Sequence, residues 1–225
     1  MWCVAELNPE YVEKMEDVLG VYEKPYDASE PVVCLDEKPV SLHADVRPPQ
    51  PAAPGKMAKR DNEYRRCGTA NVFCAVEPKA GRHFTVPTPH RSAPEFAQAL
   101  ETVVSSYPGA RKIHLVMDNL NIHCRKSLTD HYGEKPGRRL WDRLQVHYTP
   151  KHGSWLNQAE IEISLFSRQC LGKRRIPHLA LLQREAQAWN RQMNRDRVRI
   201  DWKFSRKDAR RKFNYKKNYS RRSET

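Results

Sequence analysis

Two short apolar runs, each closed by acidic residues, constrain the fold of this chain more than any other feature. The first is Pro31-Val-Val-Cys-Leu35, which ends at Asp36-Glu37, and the second is Lys112-Ile-His-Leu-Val-Met117, which ends at Asp118. Compact apolar runs of this length predict buried strands. Because helical patterns alternate with strand patterns along the rest of the chain, the sequence predicts an α/β fold with a mixed sheet flanked by helices.

The remaining elements are predicted from periodicity and from turn residues. In chain order they are a helix from Asn8 to Leu19 that ends at Gly20, an extended proline-rich loop over Arg47–Gly55, strands over Thr69–Val76 and Arg82–Val86, a helix over Ser92–Tyr107, a polar helix near Cys124–His131, a loop over Gly133–Arg139, a strand over Leu144–Tyr148, a helix from Ser154 to about Leu171 and an amphipathic helix over His178–Arg195. We therefore expect an N-terminal helix and linker (1–30), one domain (31–195) and a C-terminal tail (196–225).

Composition excludes two classes of protein. With 39% hydrophobic residues the chain can build a core, which excludes a wholly disordered protein. No apolar run approaches the roughly 18 residues that a membrane span requires. The six cysteines are scattered without a C-x-x-C pair, which favours small core residues over disulfides or structural zinc. With no visible signal peptide, we expect a cytoplasmic, nucleoid-associated protein that contacts no membrane.

The positive charge is concentrated at the C-terminus. The formal net charge is +13, and the last 29 residues carry 12 Lys and Arg against 3 Asp and Glu, interleaved with five aromatic residues. Basic segments that contain aromatic rings suit a nucleic acid, because cations contact phosphates while rings stack on bases. The alternative is a solvated tail that keeps the protein soluble. The candidate DNA-binding residues are Lys203, Arg206, Lys207, Arg210, Arg211, Lys212, Lys216 and Lys217.

The acidic residues after the two apolar runs are candidate metal ligands. Functional groups of open α/β sheets gather at the carboxyl ends of the strands, where Asp36 and Asp118 are expected. Two neighbouring carboxylates favour a divalent cation, although strand-end Asp residues also cap turns. A third acid would complete a two-metal site that cuts phosphodiesters. The helix predicted from Ser154 offers Glu160 and Glu162, each about 80° from its apolar stripe, so periodicity does not choose between them.

Three segments carry a resemblance to a known family. They are Val32-Val-Cys-Leu-Asp36-Glu37, His114-Leu-Val-Met-Asp118-Asn-Leu-Asn-Ile-His123, and the stretch from Tyr148 to Ile161 that contains Asn157-Gln-Ala-Glu160. Together, and in this order, they resemble the DDE transposases of bacterial insertion sequences, in the bacterial branch of the mariner superfamily. The resemblance assigns the catalytic, metal-binding triad to Asp36, Asp118 and Glu160 and leaves Glu162 as a bystander. The spacing from Asp118 to Glu160 is longer than in the mariner elements, and Gly133–Arg143 is the candidate insertion.

The resemblance implies a ribonuclease-H-like fold and chemistry that depends on two Mg²⁺ ions, with Mn²⁺ able to substitute. Water is then the nucleophile for strand cleavage at transposon ends, and the freed 3′-hydroxyl attacks a target, for which the superfamily suggests a TA dinucleotide. The implied partners are double-stranded DNA and a second copy of the chain, as a homodimer on DNA. Only about thirty residues precede the first predicted catalytic strand, which begins at Pro31, so we expect the end-reading helix-turn-helix to come from an upstream-frame polypeptide. An internal start and a truncated copy are the alternatives.

Neighbouring residues admit both a functional and a structural interpretation. Asn119 and His123 either orient water or phosphate near the metals or cap the following helix. Lys151 and His152 either contact phosphate or belong to a solvated loop. Trp155 is predicted to be a packing anchor and Ser154 an N-cap.

Three other functions remain open at this point. One is a catalytically silent DNA-binding or regulatory fragment of a transposase. Another is a ribonuclease-H-like nuclease acting on RNA–DNA hybrids, and the last is a plain basic scaffold protein, in which the acids would have no catalytic role.

Overall fold

A computed structural model describes residues 7–216 of the chain. Its elements are α1 (Pro9–Glu23), β1 (Val32–Asp45), β2 (Tyr64–Glu77), β3 (Arg82–Thr88), α2 (Ala93–Ser105), β4 (Ile113–Met117), α3 (Arg125–Tyr132), α4 (Glu134–Trp141), β5 (Leu144–Tyr148), α5 (Ala159–Leu165), α6 (Leu179–Asp196) and α7 (Arg206–Phe213). A 3₁₀ turn at Ser154–Leu156 precedes α5, and a π-helical turn at Phe166–Leu171 follows it. Within residues 7–216, every helix is too short or too polar to cross a membrane.

The five strands form one mixed sheet in the order β3-β2-β1-β4-β5. Strand β2 is antiparallel to both β1 and β3, whereas β4 is parallel to β1 and β5 is parallel to β4. Four strands, β1, β3, β4 and β5, therefore run in the same direction and end at the same edge. The predicted mixed α/β sheet is confirmed.

Helices cover both faces of this sheet. On one face, α2 and α3 pack on Leu35, Phe73 and Leu115. On the other, α6 and the π-helical turn cover β2 through residues such as Val72 and Cys74, while α1 and α5 cover the middle of the sheet. The flanking helices are thus confirmed as well, and α5 lies on the same face as α1.

Strand β1 is much longer than the apolar run that predicts it. It pairs with β4 only from Val32 to Cys34 and continues to Asp45 as the antiparallel partner of β2. The extension has a physical basis, because Val40 and Leu42 alternate with exposed residues and are buried against the α6 side of the sheet. Asp36 therefore lies inside β1, two residues past its last pair with β4, rather than after the end of the strand.

Three predicted helix boundaries are wrong. Helix α1 passes Gly20 and continues to Glu23, because Val21 and Tyr22 are also buried. Residues 133–139, predicted as a loop, lie largely in α4. Glycine at position 137 serves packing, since a Cβ there would lie 2.5 Å from the carbonyl oxygen of Leu128 on α3. The helix predicted from Ser154 is three successive pieces, and Gln158 is the N-cap residue of α5.

The described part of the C-terminal segment is folded against α1. Arg206 of α7 pairs with Glu23 at 2.6 Å, and Arg210 pairs with Glu16 at 2.5 Å. The aromatic residues of this segment pack on the α1 side of the core; they are Trp202, Phe204, Phe213 and Tyr215. Residues 197–216 are therefore packed against the rest of the protein rather than forming a solvated tail. Lys217 and Tyr219 lie outside the described residues.

Candidate active site at the carboxyl edge of the sheet

The register between β1 and β4 places two of the predicted acids at the same level. Cys34 pairs with Val116 as the last parallel pair, so Asp36 and Asp118 each follow two positions later on adjacent strands. Cys34 and Val116 both belong to the cluster on the α1 and α5 face. Because side chains alternate along a strand, Asp36 also points toward that face, where α5 carries Glu160.

Asp36 lies in an environment that disfavours its charge. Its Oδ1 accepts a 2.8 Å hydrogen bond from the amide of Glu37, and Asn157 Nδ2 lies 3.4 Å from its Oδ2. Burial, followed by the negative charges of Glu160, Glu37 and Asp118, raises the pKa of Asp36 to about 7. The four acids therefore interact electrostatically at one position of the sheet, and a cation there would relieve their repulsion.

The third motif is fixed to β1 by Asn157. Its side-chain amide donates a 2.8 Å hydrogen bond to the carbonyl oxygen of Leu35, and its Oδ1 accepts one from the amide of Ala159 at 3.1 Å. Asn157 thus links the residue before Asp36 to the first turn of α5, which carries Glu160. The hydrogen bond to a helix amide, predicted for Ser154, is made by Asn157 instead, and no side-chain cap bond starts the 3₁₀ turn.

The two glutamates of α5 occupy opposite environments. Glu160 is exposed in the first turn. Glu162 is fully buried, and its carboxylate pairs with His83 Nδ1 at 2.8 Å, with both side chains 0% exposed. Burial raises the pKa of Glu162, whereas the pKa of His83, although lowered by burial, is raised overall by the carboxylate of Glu162. Periodicity left the two residues equivalent, and the environment now distinguishes them.

His123 joins Asp118 to Glu37, an acid that the sequence analysis did not select. Its Nδ1 lies 2.7 Å from Asp118 Oδ1, and its Nε2 lies 2.7 Å from Glu37 Oε1. The hydrogen bond from His123 lowers the pKa of Asp118. Burial disfavours the imidazolium, but the two carboxylates raise the pKa of His123 to about 9. His123 makes no cap for α3, whose N-cap residue is Cys124; it holds two acids of the site in place.

A cleft of about 870 Å³ opens beside Asp118. Three of the predicted auxiliary residues line it, namely Asn119, Lys151 and His152, together with the first turns of α1. Asp36 and Glu160 are not among its lining residues, so the cleft reaches the site from the Asp118 side. Trp155 is a packing residue, as predicted: it contacts Phe204 and donates a hydrogen bond to the Tyr11 hydroxyl at 3.2 Å.

The predicted DNA-binding residues of the C-terminal segment are dispersed among different contacts. Arg206 and Arg210 are engaged by α1, Arg211 pairs with Asp208 at 2.9 Å, and Lys203 pairs with Asp201 at 3.1 Å. Lys212 lies 5.8 Å from the centre of the Phe204 ring. Lys207 and Lys216 are exposed. None of these cations lines the cleft beside Asp118.

The donor chemistry of the site fits a hard divalent cation. Asp36, Asp118, Glu37 and Glu160 offer only carboxylate oxygens, the ligands that Mg²⁺ prefers. Across residues 7–216, however, no three Asp, Glu, His or Cys side chains are gathered closely enough to hold a metal as they stand. The charge that acts on Asp36, rather than a completed ligand set, is the observation that favours a metal here.

The strand order, the flanking helices and the acids at the carboxyl edge define a ribonuclease-H-like α/β protein. The sequence profile described as "DDE superfamily endonuclease" matches residues 31–183. The chain therefore belongs to the DDE superfamily endonuclease family. No curated protein matches it.

Solved structures of Mos1 share the fold. The Mos1 strand transfer complex gives a TM-score of 0.54 at 15% identity over 88% of this chain and 60% of that one. The Mos1 transposase paired-end complex with left transposon end gives 0.52 at 14% identity over 88% and 61%. The Mos1 mariner paired end complex with Mn gives 0.50 at 15% identity over the same shares. This chain thus spans about three fifths of the length of these proteins.

Proposed function

We propose that this chain is the catalytic domain of a transposase of a bacterial insertion sequence in the mariner superfamily. Its reaction is metal-dependent cleavage and strand transfer at transposon ends, with Asp36, Asp118 and Glu160 as the catalytic triad. The proposal takes 31–195 as the catalytic domain, 1–30 as its N-terminal extension and 196–225 as the C-terminal segment. Membership of the DDE endonuclease family supports the reaction class.

The observation that carries the proposal is the charge around Asp36. Its carboxyl is largely removed from water, and three further carboxylates, Glu37, Asp118 and Glu160, act on it. An arrangement that raises the pKa of an acid to about 7 destabilises the ionised form unless a cation compensates. Structural carboxylates are usually paired with Arg, Lys or His, as Glu162 is with His83, whereas among residues 7–216 no cationic side chain forms an ion pair with Asp36.

The residues of the chain have distinct roles in this proposal. Asp36, Asp118 and Glu160 would hold two Mg²⁺ ions, for which Mn²⁺ can substitute. Such ions supply activation of an attacking oxygen and stabilisation of a leaving oxygen in phosphodiester chemistry. Asn157 holds the third motif against β1, and His123 orients Asp118. Lys151, His152 and Asn119, on the wall of the cleft, would contact DNA phosphates.

The proposed partners follow from the proposed reaction. The substrates are double-stranded transposon ends and target DNA, and two copies would assemble as a homodimer on the DNA. The fold shared with Mos1, which has been solved as a paired-end complex and as a strand transfer complex, supports this assembly. The further partner in this proposal is an upstream-frame helix-turn-helix polypeptide that reads the ends.

The test combines metal binding with activity. In metal-free buffer, Mg²⁺ or Mn²⁺ is expected to raise the thermal unfolding temperature of the wild-type protein but not that of Asp36→Asn, because the substitution removes a ligand and the repulsion that the ions relieve. On pre-nicked DNA carrying the element's ends, the wild type should cleave and join strands, whereas Asp36→Asn should lose activity by at least about a hundredfold.

Asp130→Asn is the matched control, because Asp130 is an exposed acid of α3 that pairs only with Lys126 among the described residues. It should behave as the wild type in both assays. Activity that survives in Asp36→Asn would contradict the triad. Cleavage of RNA–DNA hybrids without any joining of DNA would favour the nuclease alternative.

A further inference from the structure

The connection after β3 reaches the same edge of the sheet as the acids. Strand β3 runs in the direction of β1 and β4 and ends at Thr88, which pairs with Asn71 on β2. Asn71 in turn pairs with Pro39, three positions past Asp36 on β1. Arg91, between Thr88 and the start of α2 at Ala93, is therefore delivered to the carboxyl edge of the sheet.

The first turn of α2 stands directly against the Asp118–His123–Glu37 group. The ring of Phe96 lies 4.7 Å from that of His123, centre to centre. His123 in turn contacts Asp118 at 2.7 Å. Arg91 lies five residues before Phe96 and directly precedes Ser92, the N-cap residue of α2. The electrostatics agree with the topology: after the hydrogen bond from His123, the positive charge of Arg91 also contributes to the lowered pKa of Asp118.

Arg91 is an exposed cation that remains unpaired beside these acids. Across residues 7–216, no hydrogen bond or ion pair engages its guanidinium, in contrast to Arg60, Arg175 and Arg210, each of which is paired with a carboxylate. An exposed arginine elsewhere on the surface would need no explanation. Here it adds a free positive charge to the edge where the carboxylates interact, and Lys151 and His152 follow β5 at the same edge.

We propose that Arg91 binds a backbone phosphate of the nucleic acid strand that crosses the acidic site. The guanidinium fork matches two phosphate oxygens, which an ammonium group cannot do as well. In this arrangement Arg91 holds the strand from the β3–α2 side, and the loop after β5 contacts it from the other. This inference rests on the proposed function in that it takes DNA as the ligand. Binding of a phosphate by Arg91 does not require the chain to cleave or join DNA.

The experiment measures binding of a short DNA duplex by Arg91→Ala, Arg91→Lys and a control, without divalent metal, at several salt concentrations. Arg91→Ala should weaken binding and make the slope of log affinity against log salt shallower by about 0.9, the loss of one phosphate contact. Arg91→Lys should keep the slope and recover only part of the affinity. Arg191→Ala, which removes an exposed arginine of α6, should match the wild type.

The proposal is overturned if Arg91→Ala and Arg191→Ala have the same slope as the wild type, or if Arg91→Ala unfolds at a clearly lower temperature. The two proposals fail separately. A wild type that binds duplex DNA through Arg91 but neither cleaves nor joins it contradicts the transposase reaction and leaves the phosphate site standing. Cleavage with an unaltered salt slope contradicts the phosphate site alone.

Discussion

At the scale of single residues, burial separates the two glutamates of helix α5. Glu160 and Glu162 are two positions apart, so about 200° of helix rotation separates their side chains. The pair between Glu162 and His83 fixes one side of α5 to β3, and His83 Nε2 lies 2.8 Å from the carbonyl oxygen of Val198. These contacts fix the rotation of α5 about its axis, and the carboxylate of Glu160 remains where its negative charge acts on Asp36.

The difference in burial predicts different effects on stability when Glu160 and Glu162 are substituted. Glu160→Ala should change the free energy of unfolding by less than about 0.5 kcal/mol, because the side chain is exposed. Glu162→Ala should lower it by about 3 kcal/mol or more, since it leaves His83 buried without its partner. Urea unfolding followed by circular dichroism measures both. Equal destabilisation by the two substitutions would show that Glu160 also has a structural role.

The sequence predicts the acids of the site better than the residues that hold them. Asp36 and Asp118 are visible because each follows an apolar strand pattern. Asn157 does not follow such a pattern, and nothing in the pattern distinguishes Glu37 from Asp36, since the contacts of both residues are hydrogen bonds to residues distant in the chain, Leu35 and His123. Glu37 is adjacent to Asp36 in sequence, but it points to the opposite face of β1, where only tertiary contacts give it a partner.

At the scale of elements, alternation and periodicity predict β3, β4, β5, α2 and α6 nearly to their ends, because each buries a regular apolar pattern. They fail where an element is decided by its neighbours. Strand β1 extends beyond its apolar run because β2 pairs with it from Cys34 to Asp45. Helix α4 forms around a glycine and a proline because Gly137 permits close packing on α3. Neither contact can be inferred from the helix or strand propensity of the local sequence.

Helix α1 is held to the sheet by a chain of polar contacts through two buried histidines. Asp17 lies 2.7 Å from His147 Nδ1, His147 Nε2 lies 2.9 Å from His114 Nδ1, and Lys24 Nζ lies 3.1 Å from His114 Nε2. Since the lysine can only donate, both imidazoles are assigned as neutral, each with its proton on Nδ1. A proton added to His114 Nε2 would face the ammonium group of Lys24.

The pKa of His114 is accordingly lowered, by burial first and then by the charges of Lys24 and His147, with Glu30 opposing the effect. A histidine whose pKa falls on folding contributes stability above its unfolded pKa, near 6.5, and loses that contribution as the pH falls through and below it. The contribution of His114 to stability should therefore be lost between pH 7.5 and pH 5, whereas Asp36 and His123, whose pKa values rise on folding, contribute in the opposite direction over part of this range.

His114→Gln tests this interpretation at the level of the α1 interface. The variant should be less stable than the wild type at pH 7.5, and acidification should cost it less stability than the wild type, a difference in slope of at most about 1.4 kcal/mol per pH unit for one titrating group. Thermal unfolding at half-unit pH intervals measures the slope. A slope equal to that of the wild type would assign the acid sensitivity to other groups.

At the scale of the whole molecule, the C-terminal segment joins the two ends of the described chain around the third motif. Trp155, two residues before Asn157, packs between Phe204 and Phe213. These rings come from the segment that α7 attaches to α1 through Arg206 and Arg210. The aromatic residues that suggest a nucleic-acid-binding tail therefore also pack behind the motif that carries Glu160. The supporting segment is residues 199–215.

The two roles of this segment, support of the fold and contact with DNA, can be separated because they use different side chains. Phe204→Ala should lower the free energy of unfolding by about 2 kcal/mol, since a half-buried ring is lost from the contact with Trp155.

Lys207→Gln with Lys216→Gln should leave stability unchanged, because both lysines are exposed. If they contact DNA, the pair should make the salt slope of duplex binding shallower by up to about 1.8. Urea unfolding and salt titration on the same preparations measure both effects. A Phe204→Ala variant that keeps its stability but loses affinity for single-stranded DNA would show instead that the ring stacks on bases.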